Sequence, residues 1–258
     1  MRISIFAKNH DEVYQIEEAV KIEAFKRDII IDDKNPDVII YIGGDGTFLN
    51  AVQNNLDRLD SIIFLGINTG CLGYFYNFNQ DDIEEMFALL QGGCLKRLRI
   101  NLMKCDAKSR LESFTFFALN EVRMISSFES LKCEVKINDE VLENFAGNEL
   151  VISSSSGSTG LNKSIGGAII DPNISTFQLT PIAPINNSVY NVITNPIIFY
   201  NDVEITLTSK KDVNVAFDYV SLDEPIRVLT ISRSDLYVSV FFRPDTTFIG
   251  KLKESFIK

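Results

Sequence analysis

The sequence predicts an α/β region followed by a β-rich region, and two observations support this order. In the first 97 residues, short apolar runs such as Val38–Ile42 and Ser61–Ile67 alternate with segments of helical period. Continuous apolar runs of this length are typical of parallel strands that are buried on both faces. From Lys96 onward, strand-like alternation replaces the helical period. We therefore predict an α/β domain over residues 1–97 and an all-β domain over residues 98–258, whose extreme C-terminus can pack back on the first domain.

Local patterns predict the individual elements. A helix at Asp11–Arg27 would bury one face, and Asn79 would cap another helix that ends at Gly92. In the second domain, the alternation over Lys132–Leu142 contains a turn at Asn138-Asp139. Further predicted features are strands on either side of a turn at Lys210–Asp212, and two strands within Arg227–Phe242 on either side of Ser232–Asp235.

Composition restricts the class of protein. The chain has 258 residues, of which 45% are hydrophobic and 23% charged, and this composition is globular. Its net charge of −10 argues against nucleic acid or an anionic membrane as a partner, and no apolar run approaches the length of a membrane span. Four cysteines without a CxxC pair predict neither a zinc site nor a disulfide framework, so we expect a reduced, cytoplasmic protein. With a single histidine, general-base chemistry would fall to a carboxylate.

The segment Gly43-Gly44-Asp45-Gly46-Thr47 follows the apolar run Val38–Ile42 and precedes a helical pattern. A strand, a glycine turn and a helix bring backbone N–H groups close to a phosphate. The turn matches neither GxxxxGK[ST] nor GxGxxG, so those mechanisms do not transfer. Because a carboxylate repels phosphate, Asp45 is better explained as a base or a metal ligand than as a phosphate contact.

Three further segments have polar compositions that suit a ligand. Asn68–Phe75 leaves a buried strand with an Asn and two glycines, so it predicts a second ligand loop at the carboxyl edge of the sheet. Asn120-Glu121 ends an apolar run. By itself the pair is more simply a solvated strand end, although an amide beside an acid could bind a base edge and a sugar hydroxyl together. Ser153–Gly167 is rich in serine and glycine. It is either a flexible linker or a polar ligand-binding loop, and its origin in an apolar strand favours the loop.

Together these segments resemble the NAD kinase family, and the resemblance covers most of the chain. It implies an active site in the cleft between the two domains. It also implies transfer of a phosphoryl group from ATP, with a divalent metal, to the 2′-hydroxyl of the adenosine ribose of NAD. The metal, most simply Mg²⁺, would arrive with ATP, without a direct cluster of protein ligands. The resemblance further implies a homodimer or homotetramer, which agrees with the weakly charged segment Ile193–Tyr200.

The resemblance also implies roles for individual residues. Asp45 would be the catalytic base, Gly46 and Leu49 would flank the site, and Asn120 with Glu121 would hold the adenosine and its ribose. Ser156, Thr159 and residues 162–164 would line the dinucleotide channel. The implied nucleotide-binding set is Gly44, Gly46, Thr47, Leu49, Asn68, Tyr74, Phe75, Asn120, Glu121, Asn148, Ser156, Thr159, Gly160, Leu161, Asn162, Lys163, Ser164 and Tyr219.

The sequence departs from the family pattern near the nicotinamide end of the implied site. Asn148-Glu149 stands where the family has Asp-Gly, Leu161 replaces an aromatic residue, and Ala146 replaces an arginine. Asp218-Tyr219 stands where the family often has Asp-His, which also lies at a subunit contact. These departures bear on affinity and on the choice between NAD and NADH, and polyphosphate stays open as a donor beside ATP.

Two alternative functions belong to other classes. The GGDGT turn is shared with diacylglycerol and sphingosine kinases, but the loop Asn68–Gly73 has the NAD kinase form and differs from the Gly-Thr-x-Asn-Asp of the lipid enzymes. A non-catalytic dinucleotide sensor would explain the departures at residues 146–149 and 161. The intact GGDGT turn and the Asn120-Glu121 pair argue against a protein that only binds.

Overall fold

The computed structural model describes residues 1–7, 10–70, 73–126 and 129–257, with only the backbone of residues 10–12. Cys71 and Leu72, which belong to the predicted second ligand loop, lie outside the described residues. By its internal contacts the chain divides into two compact units. Unit 1 comprises Met1–Arg99 and Leu236–Lys258, and unit 2 comprises Ile100–Asp235. The predicted boundary between residues 97 and 98 stays a prediction.

Unit 1 alternates strands and helices before residue 96. Its elements there are β1 (Arg2–Ala7), α1 (His10–Lys26), β2 (Ile30–Ile31), β3 (Val38–Ile42), α2 (Asp45–Gln53), β4 (Ile63–Ile67) and α3 (Ile83–Gln91), with short 3-10 helices at Leu56–Arg58 and Gln80–Asp82. β1 pairs in parallel with β2 and β3, and β3 pairs in parallel with β4. The predicted parallel α/β architecture is therefore confirmed.

Apolar periodicity places the core of unit 1 as the sequence predicts. All five residues of β3 are buried, as expected for a strand covered on both faces. Helix α1 buries Val13, Ile16, Val20 and Ala24 against the sheet. Ahead of α3, the side chain of Asn79 and that of Asp82 form the reciprocal bonds of a capping box, which confirms the predicted start of this helical segment.

Unit 2 is built mainly from antiparallel strands. The elements from residue 96 are β5 (Lys96–Lys108), β6 (Ser113–Ala118), β7 (Glu121–Ile125), β8 (Leu131–Ile137), β9 (Glu140–Gly147), β10 (Glu149–Ser154), α4 (Leu161–Ser164), β11 (Thr176–Ile182), β12 (Ile197–Tyr200), β13 (Ile205–Phe217), β14 (Val220–Ser221), β15 (Ile226–Phe242) and α5 (Phe248–Phe256). A 3-10 helix at Ser156–Thr159 precedes α4. The hairpin of β8 and β9 turns at Asn138 and Asp139, whose φ angles are 50° and 69°, as predicted.

Two predicted turns in unit 2 are wrong, because the strands continue through them. β13 runs through Lys210–Asp212 with a shift of register against β15 between Thr208 and Val213. β15 runs through Ser232–Asp235, where Arg233 and Asp235 are exposed and Ser234 is buried. The period of two therefore persists through a polar stretch, because a small serine takes the inward position.

The end of the chain contains a helix where the sequence predicted almost none. Residues 236–242 of β15 belong to unit 1, and Val240 pairs in parallel with Phe64 of β4. Helix α5 follows, with the Thr247 side chain as its N-cap. In the described part of the chain, no helix is both long and apolar enough to cross a membrane.

Candidate active site

The glycine turn after β3 is shaped by Gly43. Its φ of 145° is one that other residues rarely adopt, and a Cβ on it would lie 2.3 Å from Oγ1 of Thr47. The backbone N–H of Gly43 donates to the carbonyl of Ile67 at 2.9 Å, which joins the ends of β3 and β4. The two predicted ligand loops of unit 1 therefore start from neighbouring strand ends.

The start of helix α2 is open to a ligand. Gly44 is the N-cap residue, and no described side chain caps this end, so the first backbone N–H groups stay available to an anion. Gly46 is exposed, and a Cβ on it would meet no described atom within 4 Å outside its own helical backbone. Thr47 and Leu49 differ from the two glycines because both are buried and support the turn from the inside.

The Asp45 carboxylate is held in place by backbone donors. The N–H of Tyr74 lies 2.9 Å from both Oδ1 and Oδ2, and the N–H of Phe75 donates to Oδ1 at 3.1 Å. Burial raises the pKa of Asp45 above its ordinary value, and these hydrogen bonds and the charge of Lys251 oppose that rise. The result is a fixed carboxylate that binds a proton more readily than an exposed aspartate does.

Tyr74 and Phe75 contribute to the site through their backbone. Both side chains are buried, and the ring centroid of Phe75 lies 4.8 Å from that of Phe48. The carbonyl of Phe75 accepts the hydroxyl of Tyr41 at 2.7 Å. The structure therefore assigns to both residues the task of orienting Asp45, which the sequence did not predict.

Asn68 stabilises its own loop. Its Oδ1 accepts the N–H of Gly70 at 3.0 Å, and its Nδ2 donates to the carbonyl of the same residue. After the two residues that the structure does not describe, the loop resumes at Gly73. A Cβ there would come 2.6 Å from the ring of Tyr76 and 3.1 Å from Oδ1 of Asp45, so this close approach requires glycine.

A second polar cluster lies in unit 2, around Asn120 and Glu121 at the start of β7. The Asp218 carboxylate accepts the N–H of Asn120 at 2.7 Å and the N–H of Leu119 at 3.0 Å. In return, the N–H of Asp218 donates to the carbonyl of Glu121 at 3.0 Å. The backbone that presents the pair is therefore fixed by the hairpin between β13 and β14.

Two polar side-chain atoms of this pair are buried without a hydrogen-bond partner among the described residues. They are Oδ1 of Asn120 and Oε2 of Glu121. Burial and the Asp218 carboxylate raise the pKa of Glu121 to about 8, with Arg123 acting in the opposite direction. Since buried polar groups are normally paired, the two atoms indicate a place that a polar ligand completes.

The serine- and glycine-rich segment is ordered and packs on this pair. The N–H of Ser154 donates to the carbonyl of Asn120 at 2.9 Å, and the hydroxyl of Ser156 donates to the carbonyl of Leu119 at 3.2 Å. A Cβ on Gly157 would lie 2.0 Å from the carbonyl oxygen of Asn120, and one on Gly160 would lie 3.7 Å from Oε2 of Glu121. The flexible-linker alternative is therefore wrong.

The rest of the segment divides into inward and outward residues. Asn162 is fully buried, and its amide accepts Thr180 Oγ1 at 2.8 Å and donates to the carbonyl of Ala168 at 3.3 Å. Thr159 donates its hydroxyl to the carbonyl of Ser156 at 3.3 Å. Leu161 and Lys163 are half-buried and Ser164 is exposed. Asn162 therefore holds the loop together, whereas its neighbours are accessible.

One of the departures from the family pattern near residue 148, Glu149, forms an ion pair with Arg123. Asn148 is exposed, but Glu149 is buried, and its carboxylate accepts Nη2 of Arg123 at 3.0 Å. Ala146 is fully buried. Tyr219 is exposed beside Asp218, and burial followed by that carboxylate raises the pKa of its hydroxyl. The buried acid at residue 149 is thus neutralised within unit 2.

Sequence reasoning matched Asp218 to a family motif but did not predict its contacts with Leu119 and Asn120. It missed Arg123 and Lys251 as parts of these clusters. Asp218 has a φ of 48°, and an Asp in a tight hairpin carries that signal weakly. Arg123 pairs with a residue that is distant in sequence, and Lys251 faces inward from a polar helix. Hydrophobic periodicity therefore gave no indication of either residue.

The described residues contain no group of three or more His, Cys, Asp or Glu side chains that could hold a metal ion. Mg²⁺ is commonly bound by one or two carboxylates together with substrate phosphates and water, and does not need a dedicated protein cage. The open turn beside Gly46 therefore fits a cation that enters with a nucleotide's phosphates.

Unit 1 is a parallel α/β unit with a phosphate-type glycine turn and one fixed carboxylate, and the β-rich unit 2 contains a polar site. This combination is typical of a nucleotide-dependent phosphotransferase. A family model described as the ATP-NAD kinase N-terminal domain matches residues 5–93, and one described as the ATP-NAD kinase C-terminal domain matches residues 119–235. The chain belongs to the NAD kinase family. This confirms the resemblance predicted from the sequence and disfavours the lipid-kinase alternative.

Individual relatives support the same assignment. The NAD kinase of Limosilactobacillus reuteri subsp. reuteri is 32% identical over 270 residues, which cover 100% of this chain and 98% of the relative. NAD kinase 1 of Listeria monocytogenes serovar 1/2a is 38% identical over 199 residues, covering 76% of this chain and 75% of the relative.

Solved structures share the fold. The NAD kinase from Archaeoglobus fulgidus in complex with ATP has a TM-score of 0.80 at 22% identity, with 98% of this chain and 99% of that chain covered. The yeast NADH kinase complexed with NADH has a TM-score of 0.83 at 16% identity, with 98% and 86% covered.

Proposed function

We propose that this enzyme transfers the γ-phosphoryl group of ATP to the 2′-hydroxyl of the adenosine ribose of NAD, which yields NADP and ADP. Family membership supports the reaction class. The observation that carries the proposed mechanism is the Asp45 carboxylate, which two successive backbone N–H groups orient beside the open space at Gly46.

Asp45 is the proposed general base. As the ribose oxygen forms its bond to the γ-phosphorus, the bond from that phosphorus to the bridging oxygen of ADP breaks. The hydroxyl proton passes to a carboxylate oxygen of Asp45 and leaves with solvent after product release. A base whose pKa is raised by burial accepts a proton more readily, which supports this role.

The donor phosphates are proposed to lie at the start of α2. The uncapped N–H groups there supply partial positive charge, and Gly46 leaves room for close approach. A divalent cation, proposed to be Mg²⁺, would be held chiefly by the phosphates of ATP and would neutralise their charge. With a net charge of −10 on the chain, local neutralisation of this kind is needed.

Asn120 and Glu121 are proposed to bind the adenosine part of NAD. The unpaired Oδ1 of Asn120 can accept the exocyclic amine of adenine, and Glu121 can bond ribose hydroxyls. With a pKa of about 8, the Glu121 carboxyl is mostly protonated at neutral pH. It can therefore act as both donor and acceptor and adds little repulsion toward phosphate.

Ser156, Thr159, Gly160, Leu161, Lys163 and Ser164 are proposed to line the rest of the dinucleotide path, with Asn148 and Tyr219 toward its far end. We limit the role of Asn162 to holding the loop, because both the oxygen and the nitrogen of its buried amide are bound within the loop and to β11. We also propose that both clusters act on one NAD molecule. The free thiols of Cys94, Cys105 and Cys133 support a reducing, cytoplasmic setting.

Radiolabelled ATP with Mg²⁺ and alternative acceptors tests this function. We expect label in NADP when NAD is supplied, and none in diacylglycerol or sphingosine. Label in either lipid with none in NADP would overturn the proposal. Dinucleotide binding by calorimetry without any NADP would instead favour the non-catalytic sensor.

A further inference from the structure

Helix α5 presents a polar face to the interior of unit 1. The side chains of Lys251 and Ser255 are each only 4% exposed, although one is charged and the other carries a hydroxyl. A buried ammonium group is destabilising unless it is paired, so its partners indicate what this helix does.

Both side chains bind one loop, Gly73–Asn77, which we call the carboxylate loop. Nζ of Lys251 donates to the carbonyl of Tyr76 at 2.7 Å and lies 4.5 Å from the centroid of its ring. The hydroxyl of Ser255 donates to the carbonyl of Gly73 at 3.1 Å. Just before the helix, Thr246 donates its hydroxyl to Oδ1 of Asn77 at 2.8 Å. The C-terminal segment therefore fixes this loop at three points.

Two backbone donors of the carboxylate loop are bound to Asp45. Between the two carbonyls held by α5, the N–H groups of Tyr74 and Phe75 both donate to the Asp45 carboxylate. Because these four groups lie within four consecutive residues, a movement at either carbonyl changes the direction of the two N–H groups.

We infer that Lys251 and Ser255 are positioning residues of the catalytic site, which hold the carboxylate loop so that its backbone donors orient Asp45. This inference rests on the proposed role of Asp45 as the base. Two charge effects support it. Lys251 lowers the pKa of Asp45 against the larger effect of burial, and Glu254, at 2.9 Å from Lys251, balances the ammonium on its outer side.

A purely structural role for Lys251 would have different consequences. Loss of a structural lysine would lower stability and activity together and leave the pH dependence of the remaining activity unchanged. Loss of a positioning lysine would also change the hydrogen-exchange protection of the Tyr74 and Phe75 amides and the pKa of Asp45. Among the described residues, Tyr41 also interacts with the charge of Asp45, and burial raises the pKa of its hydroxyl well above the ordinary value, so it stays neutral during the assay.

The test uses the full-length protein with the substitutions Lys251→Met, Lys251→Arg and Ser255→Ala. Lys253→Met is the matched control, because Lys253 is an exposed lysine on the same helix. Amide hydrogen exchange without substrate measures loop protection independently of any activity. Steady-state kinetics over a range of pH then measures kcat and KM for NAD.

For Lys251→Met we expect amide exchange at residues 74 and 75 to be about 10-fold faster or more. We also expect kcat to fall about 10- to 100-fold with little change in KM, and the acidic limb of kcat/KM to move to higher pH. Lys251→Arg should restore most of the activity, and Ser255→Ala should show a smaller increase in exchange.

Wild-type exchange at residues 74 and 75 in both Lys251→Met and Ser255→Ala would overturn the inference. So would a fall in activity with an unchanged pH profile. If Lys251→Met does not fold, exchange in Ser255→Ala decides alone. If the exchange changes as expected but the wild type forms no NADP, the proposed function fails while the positioning contact stands.

Discussion

The carboxylate of Asp218 accepts a hydrogen bond from the backbone N–H of Asn120 at 2.7 Å. It also accepts the preceding N–H of Leu119, so one acid fixes two successive backbone donors. Asp45 makes the same arrangement with Tyr74 and Phe75. In both clusters an aspartate is bonded to the backbone of another segment, and in this way the geometry of each site is set by residues distant in sequence.

Replacing Asp218 with Asn should weaken NAD binding more than it slows the reaction. An amide accepts hydrogen bonds from two N–H groups less well than a carboxylate does, so the orientation of Asn120 is no longer fixed. We expect this to weaken NAD binding by about 1–2 kcal/mol. We expect KM for NAD to rise about 10-fold, with kcat within a few-fold of wild type. Asp223→Asn, an exposed acid after the same hairpin, is the control. A KM equal to that of the control would contradict the assignment.

Glu121 should make the stability of the protein depend on pH. Burial and the Asp218 carboxylate raise its pKa from 4.5 to about 8 in the folded state, although the positive charge of Arg123 lowers it in part. Stability that is present at low pH is therefore lost as the pH rises from about 4.5 through about 8. Glu121→Gln cannot ionise, so its free energy of unfolding relative to that of wild type should increase across this range, by an amount on the order of 4–5 kcal/mol. Denaturant unfolding at several pH values measures this, and parallel curves for both proteins would refute it.

Gly46→Ala should separate stability from activity. Outside its own helical backbone, the added methyl group meets no atom of the described residues within 4 Å, and alanine favours a helix over glycine by up to about 1 kcal/mol. The melting temperature should therefore hold or rise. If phosphate approaches at this position, kcat/KM for ATP should fall about 10-fold or more. Full activity in the variant would remove Gly46 from the donor site.

The predicted self-association rests on an exposed apolar edge. β12 pairs only with β11 among the described strands, and Ile198 and Tyr200 on it are 48% and 61% exposed. Such an edge is suited to contact with a second copy. Ile198→Lys should shift light scattering from a dimer or tetramer toward the monomer mass, while Val141→Lys, at an exposed site on β9, should not. A wild-type monomer of 29.1 kDa with full activity would contradict the prediction.

The helices and strands that the sequence predicted correctly are those that bury apolar residues in a regular pattern. β3 is a short, continuous apolar run, and α1 repeats Val13, Ile16, Val20 and Ala24 at helical spacing, so the apolar pattern predicted both the strand and the helix. Helix α5 escaped prediction because its buried face consists of Lys251 and Ser255. A hydrophobic pattern cannot indicate a helix that buries polar groups.

In the candidate site, too, the sequence predicted some features and missed others. Asp45, Asn120 and Glu121 were proposed as site residues because a sequence motif consists of residue types at fixed spacings. The structure adds the relationships that no spacing contains, such as the Tyr74 and Phe75 amides on Asp45. The predicted turns at residues 210–212 and 232–235 failed because polar residues usually end strands, whereas here a register shift and a buried Ser234 let the strands continue.

The most direct test of the account is Asp45→Asn, measured by single-turnover NADP formation and by calorimetric affinity for NAD on the same protein. The substitution keeps the size of the side chain but removes the base, so the rate should fall about 10²–10⁴-fold. That loss corresponds to about 3–5 kcal/mol of barrier. Because a negative charge is also removed, NAD affinity should stay the same or rise slightly. An affinity that falls by the same factor as the rate, or a rate within a few-fold of wild type, would contradict the assignment of Asp45 as the base.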